Sequence, residues 1–129
     1  MSRQKKLENS YNRAIRAKLS SYKGSCKKRE ISWNLKVSDA WNLFMGDCSY
    51  CGRPAIESGD KNGFNGIDRV RSSGHYTPDN TCPCCPRCNI IKNDMSLSDL
   101  RAAIKRMYNY MNLWPVEFGN QPEFQTEDF

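Results

Sequence analysis

No stretch of this sequence approaches the roughly 20 consecutive apolar residues that a membrane span requires. The first residues, MSRQKKLENSYNR, lack the apolar centre of a secretory signal. The chain has a single histidine, His75, and neither an internal repeat nor a low-complexity tract. Residues 115–129 contain four acidic side chains and no Lys or Arg. These absences argue against a membrane-spanning protein, a secreted disulfide scaffold and a repeat array. They make an intracellular location the expectation. Of 129 residues, 38% are hydrophobic and 26% charged. That allows one domain with a modest core, of the kind often held by a metal or a disulfide.

The formal net charge of +6 is unevenly spread. Residues 1–36 hold eleven Lys/Arg against two Glu, a balance of +9. Residues 37–114 hold nine basic and eight acidic residues, and 115–129 have a charge of −4. This pattern predicts a basic helical arm over 1–36, a central domain over 37–114 and an acidic tail over 115–129. The arm has the greatest potential to bind a polyanion, with Lys27, Lys28 and Arg29 as candidate contacts. A solvated basic helix would have the same charge, so charge alone does not decide.

Leu7, Tyr11, Ile15, Leu19 and Tyr22 recur at three- and four-residue steps and predict a helix over 4–28. Ile31, Trp33, Leu35 and Val37 alternate with polar residues and predict a strand. Ser38 is the expected N-cap of a short helix holding Ala40, Trp41, Phe44 and Met45. Residues 47–65 are expected to form a loop, with turns at Cys51-Gly52, Ser58-Gly59 and Asn62-Gly63. Residues 67–70 and about 80–84 predict two short strands around a Ser72-Ser73-Gly74 turn. Pro86 suits the first turn of a following helix. Ser96, with Asp99 three residues later, begins a last helix with Leu97, Leu100, Ile104, Met107, Tyr108 and Met111 on one face.

Seven cysteines without a signal peptide point to metal ligation in a reducing compartment. Cys48-Ser-Tyr-Cys51 and Cys85-Pro-Arg-Cys88 are two C-x2-C pairs. Two such turns can surround one tetrahedral zinc and leave no open coordination position. Buried free thiols are the bland alternative, but two correctly spaced pairs argue against it. Cys84, beside Cys85, is an alternative ligand, although only Cys85 gives the C-x2-C spacing with Cys88. Cys26, Cys82 and Cys84 are then left as non-ligands.

Between and around these pairs run Gly66-Ile-Asp-Arg, Gly74-His-Tyr-Thr-Pro-Asp-Asn80 and Cys84-Cys-Pro-Arg-Cys-Asn89-Ile-Ile-Lys92. In this order they resemble the HNH (ββα-metal) endonucleases, of the zinc-knuckle kind found in phages and mobile elements. The resemblance covers about residues 29–97 and includes the Arg29-Glu-Ile-Ser-Trp-Asn-Leu35 lead-in. It implies an α+β fold with a zinc-stapled ββα core, flanked here by the basic N-terminal helix and a C-terminal helix. It implies a nuclease that cuts DNA in the cytoplasm of a bacterial or phage-infected cell, or in an organelle. Asp68 and Asn89 match the residues that hold a catalytic divalent ion. Magnesium or manganese suits their oxygen donors. Asn80 matches the Asn that ties down the hairpin loop. Lys92 and Arg71 are expected to touch phosphate, and are equally compatible with ordinary surface charge.

The sequence departs from the family pattern at Arg69, where a water-activating His is usual. A guanidinium cannot act as a general base, but it can clamp a phosphate and stabilise its growing charge. Tyr76 and His75 are the candidates to replace the base. Tyr76 resembles the Tyr of a related restriction-enzyme run, and His75 is of a residue type that titrates near neutrality. Packing and solvation are the bland roles of these two. Trp33, Trp41 and Trp114 are expected in or near the core. Double-stranded DNA is the expected substrate, and a homodimer or a larger assembly remains open. The alternatives are an inactive HNH-fold nucleic-acid-binding module within a (ribo)nucleoprotein assembly, and a zinc-stapled protein–protein adaptor.

Overall fold

In the computed structural model, which describes residues 2–114, a 26-residue helix (α1) covers Arg3–Lys28. Ser2 caps it, its Oγ accepting from the Lys5 N–H at 3.2 Å. Lys27 and Lys28 lie in its last turn, where cations favour the negative end of the helix dipole. The expected apolar stripe is present from Tyr11 onward. Ile15, Leu19 and Cys26 are core residues, and Tyr11 and Tyr22 pack against the core. Leu7, the first member of the stripe, is 62% exposed. Residues expected in an N-terminal arm therefore supply part of the hydrophobic centre.

The expected strand at 31–37 is not one. The apolar positions are the more buried ones as far as Leu35, and Val37 is exposed. Trp33 makes only an isolated parallel bridge to Tyr76. The Asn34 N–H donates to the Tyr76 carbonyl and the Tyr76 N–H to the Ser32 carbonyl. The ladder cannot extend because Pro78, which has no N–H, soon follows Tyr76. The next helix (α2, Val37–Met45) starts one residue before the predicted cap. Lys36 is the N-cap, and its N–H donates to Asp39 Oδ2 at 2.9 Å. Ala40 and Phe44 of α2 are fully buried.

After a loop containing a 3-10 turn at Ala55–Glu57, two four-residue strands pair antiparallel. They are β1 (Gly66–Arg69) and β2 (Thr81–Cys84), with Asp68 opposite Cys82 and Ile67 opposite Pro83. A two-stranded sheet this short is marginal alone, and both outer edges are covered. The Ile67 N–H donates to the Tyr22 hydroxyl of α1 at 2.9 Å. The Pro83 carbonyl accepts from the Ser49 N–H at 2.9 Å. Gly66 leaves room for this contact, since a Cβ there would come within 2.8 Å of the Tyr22 hydroxyl and displace it. Helix α3 (Pro86–Lys92) follows with Pro86 at its start.

The described residues divide into two compact units, one ending at Asp94 and the other beginning at Met95. In the second, Ser96 caps helix α4 (Leu97–Met111) by accepting from the Asp99 N–H at 3.1 Å. Leu100 is buried, whereas Ile104, Met107 and Tyr108 of the predicted apolar face are exposed. Trp33 and Trp41 pack against the core of the first unit, and Trp114 is 40% exposed. The predicted acidic tail lies outside the described residues. Among those residues, no helix is long and apolar enough to cross a membrane.

Tyr22→Phe keeps the ring but leaves the Ile67 N–H without its partner. A buried donor left unpaired costs about 1–3 kcal/mol. Chemical denaturation should show a loss in that range. An unchanged midpoint would mean that the edge is held by other contacts.

Candidate metal centre and active-site cleft

The sulfurs of Cys48, Cys51, Cys85 and Cys88 all lie within 4.8 Å of one another. Thiolates at about 2.3 Å from a tetrahedral zinc would stand about 3.8 Å apart. Cys51 Sγ and Cys85 Sγ are 3.8 Å apart. The donor set therefore fits a metal such as zinc. Gly52, at φ +78°, makes the first turn, and its N–H donates to the Cys48 carbonyl at 2.8 Å. Cys85 is the N-cap of α3, and its sulfur accepts from the Cys88 N–H at 3.4 Å. Burial pushes the Cys48 thiol up, but N–H groups of Cys85, Cys51 and Tyr50 outweigh it and bring it down to about 7. Cys84 is outside the cluster. Burial, followed by the neighbouring Cys48, pushes its thiol well above the usual range.

The same knuckle touches Asp68. Tyr50, between Cys48 and Cys51, donates its hydroxyl to Asp68 Oδ2 at 2.5 Å. The Cys82 thiol donates to the Tyr50 oxygen at 3.5 Å. Burial first, then the bond to Asp68, holds the Tyr50 hydroxyl protonated far above the ordinary phenol range. From the other side, Lys92 Nζ lies 3.2 Å from Asp68 Oδ2 and donates to the Arg69 carbonyl at 3.1 Å. Lys92 was a predicted phosphate contact. It is instead fully buried, and its ammonium is an internal counter-ion, because its place near the end of α3 turns it toward β1 rather than solvent.

A cleft of about 400 Å³ is lined by Asp68, Arg69, Tyr76 and Asn89. Arg29, Ser21, Tyr22, Ser25 and Asn93 also line it. Arg69 is fixed by two hydrogen bonds of 2.7 Å from its guanidinium to the carbonyls of Ser72 and Gly74. That guanidinium stands 5.5 Å from the centre of the Tyr76 ring. Tyr76 is 7% exposed and packs on Trp33 and Tyr22. Burial pushes its hydroxyl above the ordinary value and Cys26 adds to this, while Arg69 and Arg29 pull it back.

Asn80 is buried on the hairpin. Its Oδ1 accepts from the Arg71 N–H at 2.9 Å, and its Nδ2 donates to the carbonyls of His75 and Arg71. His75 does not line the cleft, because its Nδ1 accepts from the Ser32 N–H at 2.9 Å. Arg71 is exposed, 3.9 Å from Asp79. Lys27 and Lys28 are exposed at the end of α1, and Arg29 adjoins them at the rim of the cleft.

Sequence reasoning missed Ser21, Ser25 and Asn93 as cleft residues. Their spacing was a usable signal, since Ser21, Ser25 and Arg29 recur every four residues, as do Asn89 and Asn93. Nothing in the sequence marked Tyr50, which fills an unconstrained position inside a C-x2-C turn.

No protein-family model matches the chain. A curated relative, "Uncharacterized protein R423" of Acanthamoeba polyphaga mimivirus, is 33% identical over 92 residues, or 71% of this chain. The matched region spans only 17% of that larger protein. Among solved structures, the chain resembles the rare-cutting HNH restriction endonuclease PacI, with a TM-score of 0.56 and 20% identity. The likeness covers 78% of this chain and 82% of PacI. The chain has the HNH fold: an antiparallel hairpin followed by a helix, with a four-cysteine cluster beside it.

Four cysteines joining the loop near residue 50 to the start of α3 should make folding depend on metal. Cys88→Ser, or removal of metal by a strong chelator, should abolish the cooperative unfolding transition of residues 1–94. A Cys88→Ser variant that unfolds cooperatively with no bound metal would refute this dependence.

Proposed function

We propose that the cleft is the active site of a metal-dependent nuclease that cuts phosphodiester bonds in DNA. The observation that supports this most strongly is the convergence of Asp68, Arg69, Tyr76 and Asn89 on one cleft, in a fold shared with an HNH restriction endonuclease. Asp68 and Asn89 offer a carboxylate and an amide oxygen, a donor set that suits magnesium or manganese with retained waters. Such an ion would supply charge to polarise the phosphate and stabilise the leaving oxygen.

The protein's own groups divide the remaining work. Arg69 is held rigidly by Ser72 and Gly74, and that lets it meet the phosphate without reorganising. Arg29, with Ser21 and Ser25, would bind a neighbouring part of the backbone. Tyr76 activates water or attacks directly. Asn80 shapes the loop that presents Tyr76. Lys27, Lys28 and Arg71 would add exposed positive charge for non-specific affinity.

Because α1 is part of the core, the contribution of its charge is better tested by substitution than by deletion. Lys27→Gln with Lys28→Gln should weaken DNA binding and flatten its salt dependence by about two phosphate contacts. An unchanged salt slope would make these lysines ordinary surface charge.

One observation favours the second reading, an inactive nucleic-acid-binding module: Asp68 already has a buried counter-ion in Lys92. Plasmid nicking with Mg²⁺ or Mn²⁺ separates the two. The proposal requires cleavage by the wild type and none by Asp68→Ala. If the wild type binds DNA but never cuts DNA or RNA with either ion, the binding module is the better account.

Tyr76→Phe should abolish cleavage while sparing metal content and DNA affinity, and His75→Ala should cost far less. A Tyr76 base whose hydroxyl is pushed up must lose its proton to act, so its active fraction grows as pH rises. The cleavage rate should therefore keep climbing through neutral and mildly alkaline pH. A plateau above about pH 7 would instead point to a histidine base.

A further inference from the structure

We infer that Tyr50 is a positioning residue for Asp68, through which the four-cysteine cluster sets the geometry of the proposed divalent-ion site. This inference rests on the ion-site reading of Asp68 and Asn89 and extends it to a residue with no assigned role.

The geometry comes from three contacts. The hydroxyl of Tyr50 donates to Asp68 Oδ2 at 2.5 Å, across 18 residues of sequence. Lys92 Nζ lies 3.2 Å from the same oxygen and 3.5 Å from Oδ1. Oδ2 is therefore held from two sides, and Oδ1 is the less committed oxygen. A carboxylate whose two shorter contacts fall on one oxygen is limited in rotation, and the other oxygen, here with only the 3.5 Å bond from Lys92, keeps a lone pair for a cation. Oδ1 would be the oxygen offered to the ion.

The placement of Tyr50 links the two centres. It lies between Cys48 and Cys51, so closing the cysteine cluster fixes its backbone. Ser49, next to it, donates to the Pro83 carbonyl and fastens the turn to β2. The phenol then reaches the hairpin face that holds Asp68 and Cys82, which are paired across the strands. Cys48 and Cys51 thus aim a hydrogen bond at the carboxylate as well as tying the loop to α3. Partners that orient a metal ligand in this way typically contribute about 10–100-fold in metal affinity or activity.

The test uses the full-length, zinc-loaded protein without nucleic acid. Mn²⁺ binding is measured by calorimetry or electron paramagnetic resonance for wild type, Tyr50→Phe and Asp68→Ala. Tyr50→Phe should bind Mn²⁺ about 10-fold more weakly or worse, with its zinc content and cooperative unfolding retained. If Tyr50→Phe binds like the wild type while Asp68→Ala loses binding, the positioning role fails and the ion-site reading stands. If Asp68→Ala binds like the wild type, no ion sits at Asp68, and both fail. Should Tyr50→Phe not fold, the wild type still decides by tyrosine-ring NMR. The Tyr50 signal should shift on Mg²⁺ addition, and its failure to move at saturating ion would overturn the inference.

Discussion

The four-cysteine cluster is the constraint on which the rest of the first unit depends. Each strand of the hairpin is four residues long, and a two-stranded sheet of that length does not stand alone in water. Its edges are closed by Tyr22 of α1 and Ser49 of the knuckle. The knuckle is tied to the start of α3 where Cys48 and Cys51 meet Cys85 and Cys88. That meeting also fixes the start of α3, and with it Asn89 and Lys92. A single four-cysteine junction thus positions groups from the loop, the hairpin and the helix that follows.

The arrangement around Asp68 is hard to explain by stability. Asp68 is 6% exposed and Lys92 fully buried. Buried ion pairs often contribute less than apolar residues of the same volume, since desolvation offsets the attraction. Removing either partner alone is costly, about 3–5 kcal/mol, because the other charge is left buried. A small, polar chain retains such a pair at odds with its thin core. Local departures of this kind concentrate at functional sites. The proposed role of Asp68 as an ion ligand gives the buried carboxylate a purpose that packing does not.

Much of the architecture was legible because it rests on local signals. The cysteine spacing identified the cluster, and Ser96 and Pro86 marked helix starts that the structure confirms. The order of motifs pointed to the fold. What was missed depends on long-range contacts. The alternation at 31–37 reads as a strand, but Tyr76 offers only a single-residue partner. Lys92 reads as a surface cation, but its burial depends on where β1 passes. Tyr50 carries no sequence signal, since its partner is 18 residues away. Charge separated the basic first third from the rest, whereas packing joins α1 to the core through Ile15, Leu19 and Cys26.

The most direct test of the account is anomalous X-ray scattering from crystals of the protein soaked in Mn²⁺, with data at the zinc and manganese edges. The account predicts one zinc among the sulfurs of Cys48, Cys51, Cys85 and Cys88, and one manganese in the cleft bonded to oxygens of Asp68 and Asn89. Zinc in the sulfur cluster with no manganese at Asp68, or with manganese bound only elsewhere, would contradict it.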